Sequence, residues 1–314
     1  MDTESAIMFS VLIANYNNAQ FIDEAIASVF AQTFTNWEIV IVDDCSTDNS
    51  LQLLEKYKGN QRINIFVNKK NQGCGFTKAR CAKLATGQLC GYLDPDDTLT
   101  TNALEVMVNE HTRLPQYSLI NSTHYLCNEQ LEVLGIADYP SQIPSHESLL
   151  VGGAGAIHHF AVFKRAFYNQ TIGISAEYKR AVDQDLYYKL EETGPVAYID
   201  IPLYFYRFHA NGISTMGANI NAAHNWHLKV RDDAFNRRIT KLMLNKNLLF
   251  NLNDHDYKLL LSYYKNYLKL SGINKSILPI LKAGLFIVIL SSQKGTTLKL
   301  IRNGLKKLIK RNAG

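Results

Sequence analysis

Cysteine is scarce in this 314-residue chain. The five present (Cys45, Cys74, Cys81, Cys90, Cys127) are odd in number and form no CxxC pair, so neither a disulfide framework nor a zinc site is expected, and a reducing, cytoplasmic setting fits. Positive charge is missing where a secretory signal would need it. The chain begins Met1-Asp2-Thr3-Glu4, and its apolar run from Ala6 is broken at Asn15; secretion is not expected, and the N-glycosylation matches at Asn121, Asn169 and Asn274 are discounted. The apolar segment Ile277 to Leu290 is interrupted by Pro279 and Lys282 and falls short of the ~20 residues of a membrane-spanning helix. No GxGxxG follows the first predicted strand, which excludes the dehydrogenase pattern. A basic Gly-rich phosphate loop is missing there too, with Asn15-Tyr16-Asn17-Asn18 in its place, which argues against a nucleotidyltransferase.

What is present is an ordinary globular composition, 46% hydrophobic and 19% charged, with ample material for a core. The formal net charge is +5, yet residues 294 to 314 hold seven basic side chains and no acidic one, so the remainder carries about −2. The globular part therefore offers no basic groove for nucleic acid. In the tail, Leu298, Leu300, Ile301, Leu305, Leu308 and Ile309 alternate with the basic residues at roughly helical spacing, a pattern suited to lying on an anionic membrane surface.

Strand and helix patterns alternate through the first hundred residues. Phe9 to Ala14, Glu38 to Val42, Ile63 to Val67 and Leu89 to Leu93 read as strands; helices follow from Phe21, from Ser46 or Asp48 to Tyr57, and from about Phe76 to Gly87. That alternation predicts a parallel, doubly wound sheet whose ligand sits beyond the carboxyl ends of the strands. Asn15-Tyr16-Asn17, Asp43-Asp44 and Asp94 to Asp97 all fall at such ends. Further on, helices are predicted from Leu99 to Leu114, Asp183 to Glu192, Asn221 to Asn245 and Asp254 to Leu270. Strands are predicted near Tyr117 to Leu126, at Val196 to Ile199 and at Leu203 to His209.

Asp94-Pro95-Asp96-Asp97 gathers three carboxylates within four residues. Hard oxygen ligands suit Mg²⁺ or Mn²⁺, ions that leave positions open for substrate phosphates. The alternative is a helix N-terminus, which acidic residues favour.

These segments, together with Asn71-Gln72-Gly73, Ala79-Arg80, Asp183-Gln184-Asp185-Leu186 and Tyr206-Arg207-Phe208-His209, occur in the order and spacing of family 2 glycosyltransferases, and the chain resembles that family over roughly its first 215 residues. The resemblance implies a GT-A fold, α/β with a doubly wound mixed sheet, and a C-terminal helical extension. It implies that the backbone near Ala14 and the ring of Tyr16 hold the nucleotide base, with Asp44 accepting from a base N–H. Arg80, and less directly Lys78, would face the diphosphate. Asp94 would contact the ribose or metal, Asp96 would bind the metal, and His209 with Arg207 would approach the metal or diphosphate. Asp183 would be the general base, with Asp185 close enough to leave that assignment open. Tyr16 also fits a turn residue, Asp44 a helix cap, and Asp183 with Asp185 a helix start. Val182 stands where the family shows glutamate, Ala14 where it shows proline and Cys81 where it shows asparagine. His158-His159 belong to the acceptor cleft or the core.

The implied organisation is a catalytic domain over 1–220, with nucleotide-binding (1–100) and acceptor (101–220) halves, and a helical region over 221–314. The implied activity is metal-dependent, inverting transfer from a nucleotide-diphosphate sugar, a UDP-sugar, to a hydroxyl of a growing glycan, with a lipid-linked acceptor suited to a peripheral enzyme at the inner membrane face. A catalytically silent sugar-nucleotide or glycan-binding module on the same scaffold is the rival.

Overall fold

The structure is a computed structural model; it describes residues 7–144, 147–153, 155–209 and 219–244. The chain forms two compact units, Met1–Ile143 with Gly153–His227, and Pro144–Gly152 with Leu228–Gly314. The predicted helix Asp254 to Leu270, the apolar segment from Ile277 and the basic tail lie outside the described residues.

The first unit is built on a nine-stranded sheet. Its opening strands, β1 (Phe9–Asn15) and β2 (Trp37–Asp43), are apolar nearly throughout and buried almost end to end, as parallel strands covered on both faces must be. β3 (Ile63–Val67) and β4 (Leu89–Tyr92) complete a parallel set in the order β3-β2-β1-β4. Helices α1 (Ile22–Phe30), α2 (Ser50–Leu54) and α3 (Cys74–Leu84) connect them. α1 buries Ile22, Ala25, Ile26 and Val29 on one face, the i, i+3, i+4, i+7 stripe that its sequence predicts.

Beyond β4 the sheet becomes mixed. β5 (Thr98–Leu99) begins directly after the acidic cluster, and α4 (Ala103–Arg113) starts only later. The cluster is thus a strand-to-strand turn and not a helix N-terminus. β6 (Leu119–Cys127), β7 (Val133–Ile136) and β8 (Ala161–Lys164) follow. The four-residue β8 inserts antiparallel between β4 and β6. After α5 (Arg165–Tyr168) and α6 (Val182–Glu191), β9 (Val196–Arg207) runs parallel to β6 and antiparallel to β5. β9 is one strand where two are predicted, because its pairing with β6 steps over Asp200-Ile201 through register shifts on either side of Thr123, with Pro202 opposite Thr123, an irregular stretch that tolerates a proline. α7 (Asn219–Leu244) closes the described chain. No helix among the described residues is long and apolar enough to cross a membrane.

One close approach brings α3 towards α6. A Cβ at Gly75 would sit 2.4 Å from the Tyr178 carbonyl oxygen and 2.5 Å from that of Ser175, so the first turn of α3 packs directly on the loop ahead of α6, and Gly75 N–H donates to Tyr178 O at 2.9 Å. The loop is held from α6 by Lys189, whose buried ammonium donates to Gly173 O (2.7 Å), Ser175 Oγ (2.9 Å) and Asp185 (2.6 Å). Lys78, one turn further along α3, consequently faces the start of α6.

Candidate active site

Parallel pairing places Asn15 beside Asp43 at the carboxyl edge. Asn15 Nδ2 donates to Asp43 at 2.7 Å, and Asp43 also accepts from Ser46 N–H (2.8 Å) and Ser46 Oγ (2.6 Å). Asn17 and Cys45 take left-handed backbone conformations (φ 54° and 61°). Asn17 Oδ1 accepts from Thr47 N–H at 2.7 Å and Asn17 N–H donates to Ser46 Oγ at 3.0 Å, so the loops after β1 and β2 form one braced cradle. Ala14 lies in β1, and the Tyr16 ring projects from the cradle, 43% exposed. Asp44 accepts from Asn68 Nδ2 (2.7 Å) and from the N–H groups of Gln72 (2.8 Å) and Gly73 (2.7 Å). It thus fixes the approach to α3, not the start of α2.

The three carboxylates of the acidic turn separate. Asp97 is buried and accepts from Tyr204 OH (2.8 Å) and Arg207 N–H (2.7 Å); burial, with Asp96 and Asp94 nearby, pushes its pKa well above the usual carboxylate range. Asp96 Oδ2 lies 2.8 Å from His209 Nε2. Asp94 pairs with Lys78 at 3.1 Å; burial acts to raise its pKa, but the Lys78 and His159 charges outweigh this and hold it below the ordinary value. Arg207 ties the assembly together by donating to the backbone oxygens of Asp96 (2.7 Å) and Glu129 and to the Glu24 carboxylate. The Phe21 ring contacts both Arg207 (4.6 Å) and His209 (4.9 Å, edge-on).

On the opposite side, Asp183 sits in the first turn of α6, where the helix dipole favours a carboxylate. Both of its oxygens accept from Lys78 Nζ, at 2.8 and 2.9 Å. Burial disfavours the charged form of Lys78, yet Asp183 and Asp94 together hold its pKa well above the ordinary value. Asp185 is turned away, buried against Lys189 at 2.6 Å and accepting from Ser175 N–H at 3.0 Å. Arg80 does not join these carboxylates. Its guanidinium donates to Val67 O at 3.1 Å and to Asn68 Oδ1. Lys78, secondary in the sequence reading, is the cation at the centre, and no local sequence signal distinguishes it from Arg80. Among the described residues no group of three or more His, Cys, Asp or Glu side chains is gathered to hold a metal ion.

His158 and His159 diverge. His159 stacks on Tyr204 (4.7 Å, 15°) with Nε2 3.8 Å from Asp94, whereas His158 meets Tyr139 edge-on at 4.7 Å. Burial pulls the pKa values of His111, His124 and His158 down to about 3, about 4 and about 3. Unfolded histidine titrates near 6.5. Above that pH both states are neutral and native stability is full; below it the unfolded chain takes up protons the folded chain refuses, and stability falls as pH drops from about 6.5 towards about 4. Each of the three should cost about 1 kcal/mol at about pH 5.5. Urea midpoints measured from neutral pH downward should show the decline, with a shallower slope in His124→Gln; parallel slopes in the two proteins would refute the assignment.

A parallel αβ half with polar loops at its carboxyl edge, joined to a mixed half whose α6 brings the Asp183 carboxylate to Lys78, is the GT-A architecture of nucleotide-sugar transferases. The profile of glycosyl transferase family 2 matches residues 10–171, and the chain belongs to that family. Chondroitin synthase of Escherichia coli is 30% identical over 230 residues, covering 73% of this chain and 33% of the relative. Chondroitin synthase of Pasteurella multocida is 28% identical over 233 residues, covering 74% and 23%. The chain thus spans a third or less of the length of these relatives. S. aureus TarS 1-349, solved in complex with UDP-GlcNAc, superposes with a TM-score of 0.61 at 18% identity, covering 96% of this chain and 88% of that one, a likeness of fold.

Proposed function

We propose that this chain is a metal-dependent, inverting glycosyltransferase that moves a sugar from a UDP-sugar to a hydroxyl of a growing glycan. The observation that carries the reading is the meeting of Asp183 and Asp94 on one buried lysine at the carboxyl edge, which sets an acceptor-side carboxylate facing the donor-side cluster. In this reading the Tyr16 ring and the Ala14 backbone hold the base and Asp44 accepts its N–H. Asp94 takes the ribose, and Arg80 acts through the Asn68 loop or on the diphosphate. Asp183 takes the proton of the acceptor hydroxyl as that oxygen attacks the anomeric carbon from the face opposite the departing UDP. One displacement of this kind inverts the anomeric configuration.

Asp96 Oδ2 and His209 Nε2 share a hydrogen bond at 2.8 Å; with that proton displaced they would offer one oxygen and one nitrogen ligand to Mn²⁺, or to Mg²⁺ with more of its ligands from phosphate and water. The ion, when bound, offsets the charge of the leaving diphosphate. TarS, alike in fold, is solved in complex with UDP-GlcNAc, which supports a UDP-sugar as donor, and the chondroitin synthases support a polysaccharide acceptor. The seven basic side chains of residues 294–314 suit an anionic membrane surface at the cytoplasmic face, where a lipid-linked acceptor would be held.

A panel of nucleotide-sugars incubated with the protein and Mn²⁺ should give transfer, or slow hydrolysis without acceptor, from a UDP-sugar alone, and EDTA should abolish it. Tight UDP binding with no turnover under any condition would leave a binding module in place of an enzyme. A product of retained anomeric configuration would discard the single-displacement mechanism.

A further inference from the structure

The ammonium of Lys78 is enclosed while its partners are partly exposed: its side chain is 5% exposed, against 29% for Asp94 and 32% for Asp183. A lysine ammonium has three donors, and three carboxylate oxygens surround this one, Asp183 Oδ1 (2.8 Å), Asp183 Oδ2 (2.9 Å) and Asp94 Oδ1 (3.1 Å). Asp183 takes two hydrogen bonds from the ammonium and Asp94 pairs with it by charge, so its contacts are with the two carboxylates. Lys78 is also held through its backbone, since Tyr92 OH donates to the Lys78 backbone oxygen at 2.6 Å, and the Tyr92 ring centre lies 5.0 Å from Nζ. The close packing at Gly75 holds α3 itself against the loop ahead of α6.

We propose that Lys78 is a positioning residue that fastens the acceptor-side Asp183 to the donor-side Asp94, so that the two carboxylates keep one spacing across the reacting centre. The proposal rests on the glycosyltransferase reading above for its consequence, though not for the contact. Two carboxylates this close repel each other unless a cation lies between them. Lys78 supplies that cation from the protein, which leaves Asp94 neutralised before any donor arrives. The bidentate grip also sets the direction of the Asp183 carboxylate, and a displacement of about 1 Å at such a group can cost ~10²-fold in rate. The other groups facing this pair are Cys74 on α3, Tyr187 on α6 and His159 beside Asp94. Burial pushes the Cys74 thiol up to about 12, so it carries no charge that could replace the ammonium.

The test is a double-mutant cycle on the full chain with K78M, D183N and K78M/D183N, with K78Q in place of K78M if the latter does not fold. With a UDP-sugar, K78M should lower kcat by ~10²-fold while the Kd for UDP in Mn²⁺ stays within a few-fold, and K78M/D183N should be no slower than D183N, because a positioning residue has nothing to act on once the base is gone. Losses that multiply in the double variant would overturn the proposal. Melting temperature reads the same contact without turnover. D183N should lower it when Lys78 is present and raise it in the K78M background, where removing one carboxylate relieves repulsion. Shifts of the same sign and size in both backgrounds would overturn the contact itself. Absence of turnover in the wild-type protein would instead overturn the enzymatic reading, and the melting cycle would still decide whether Lys78 couples the two carboxylates.

Discussion

Asp183→Asn is expected to lower the rate of sugar transfer by roughly 10² to 10⁴, the loss of a general base, while UDP affinity stays within a few-fold. The separation follows from position: Asp183 stands on α6, outside the cradle that Asn15, Asp43, Asn17 and Ser46 build, where the proposed function puts the nucleotide. An asparagine keeps an acceptor oxygen for Lys78, so the fold should survive with a small change in melting temperature. The neighbouring carboxylate behaves in the opposite way. Asp185 is buried in an ion pair with Lys189, and removing one member of such a pair costs ~3–5 kcal/mol. Asp185→Asn should therefore unfold at lower temperature, and its folded fraction should transfer sugar at close to the normal rate. Steady-state kinetics beside thermal melts of both variants decide the matter. Full activity in Asp183→Asn, with lost activity in a well-folded Asp185→Asn, would move the base by two residues.

Asp96→Asn is expected to bring transfer below wild type by about 10²-fold or more, the several kcal/mol that a metal ion contributes to a leaving diphosphate. UDP affinity in Mn²⁺ should weaken, and UDP affinity in EDTA should match wild type, because the lost carboxylate acts through the ion. The turn should keep its shape. Arg207 grips the Asp96 backbone oxygen and Asp97 takes the buried hydrogen bonds, neither of which depends on the Asp96 side chain. Calorimetric titration of UDP with and without Mn²⁺ reads the difference directly. Equal UDP affinities for variant and wild type in Mn²⁺, or wild-type turnover that EDTA leaves untouched, would remove the metal from the mechanism.

Asp97 and Asp96 show how far a motif can be read. Three carboxylates in four residues mark a site, but a turn sends neighbouring side chains in different directions, and one of the three goes inward to Tyr204 and Arg207 N–H. That outcome depends on β9, more than a hundred residues away in sequence. The choice between Lys78 and Arg80 has a similar cause. Two residues apart on a helix point to different sides, so one reaches Asp183 and the other the end of β3; which does which depends on how α3 is seated, and that seat is the contact between Gly75 and the loop at Ser175 to Tyr178.

By itself the sequence determined the parallel half of the fold. Runs such as Val11-Leu12-Ile13 and Ile39-Val40-Ile41-Val42 have few ways to be buried other than as inner strands, and parallel winding then delivers Asn15, Asp43 and Asp94 to one edge whatever follows. The mixed half was decided by tertiary structure. β8 is four residues long with no alternation to announce it, and it becomes a strand only because β4 and β6 leave an antiparallel gap of its width. The same holds for the ion pair at the centre of the site. A lysine on α3, an aspartate after β4 and another on α6 carry no mark of one another along the chain, since a buried charge acquires its partners only when packing excludes the water that would otherwise solvate each of them alone.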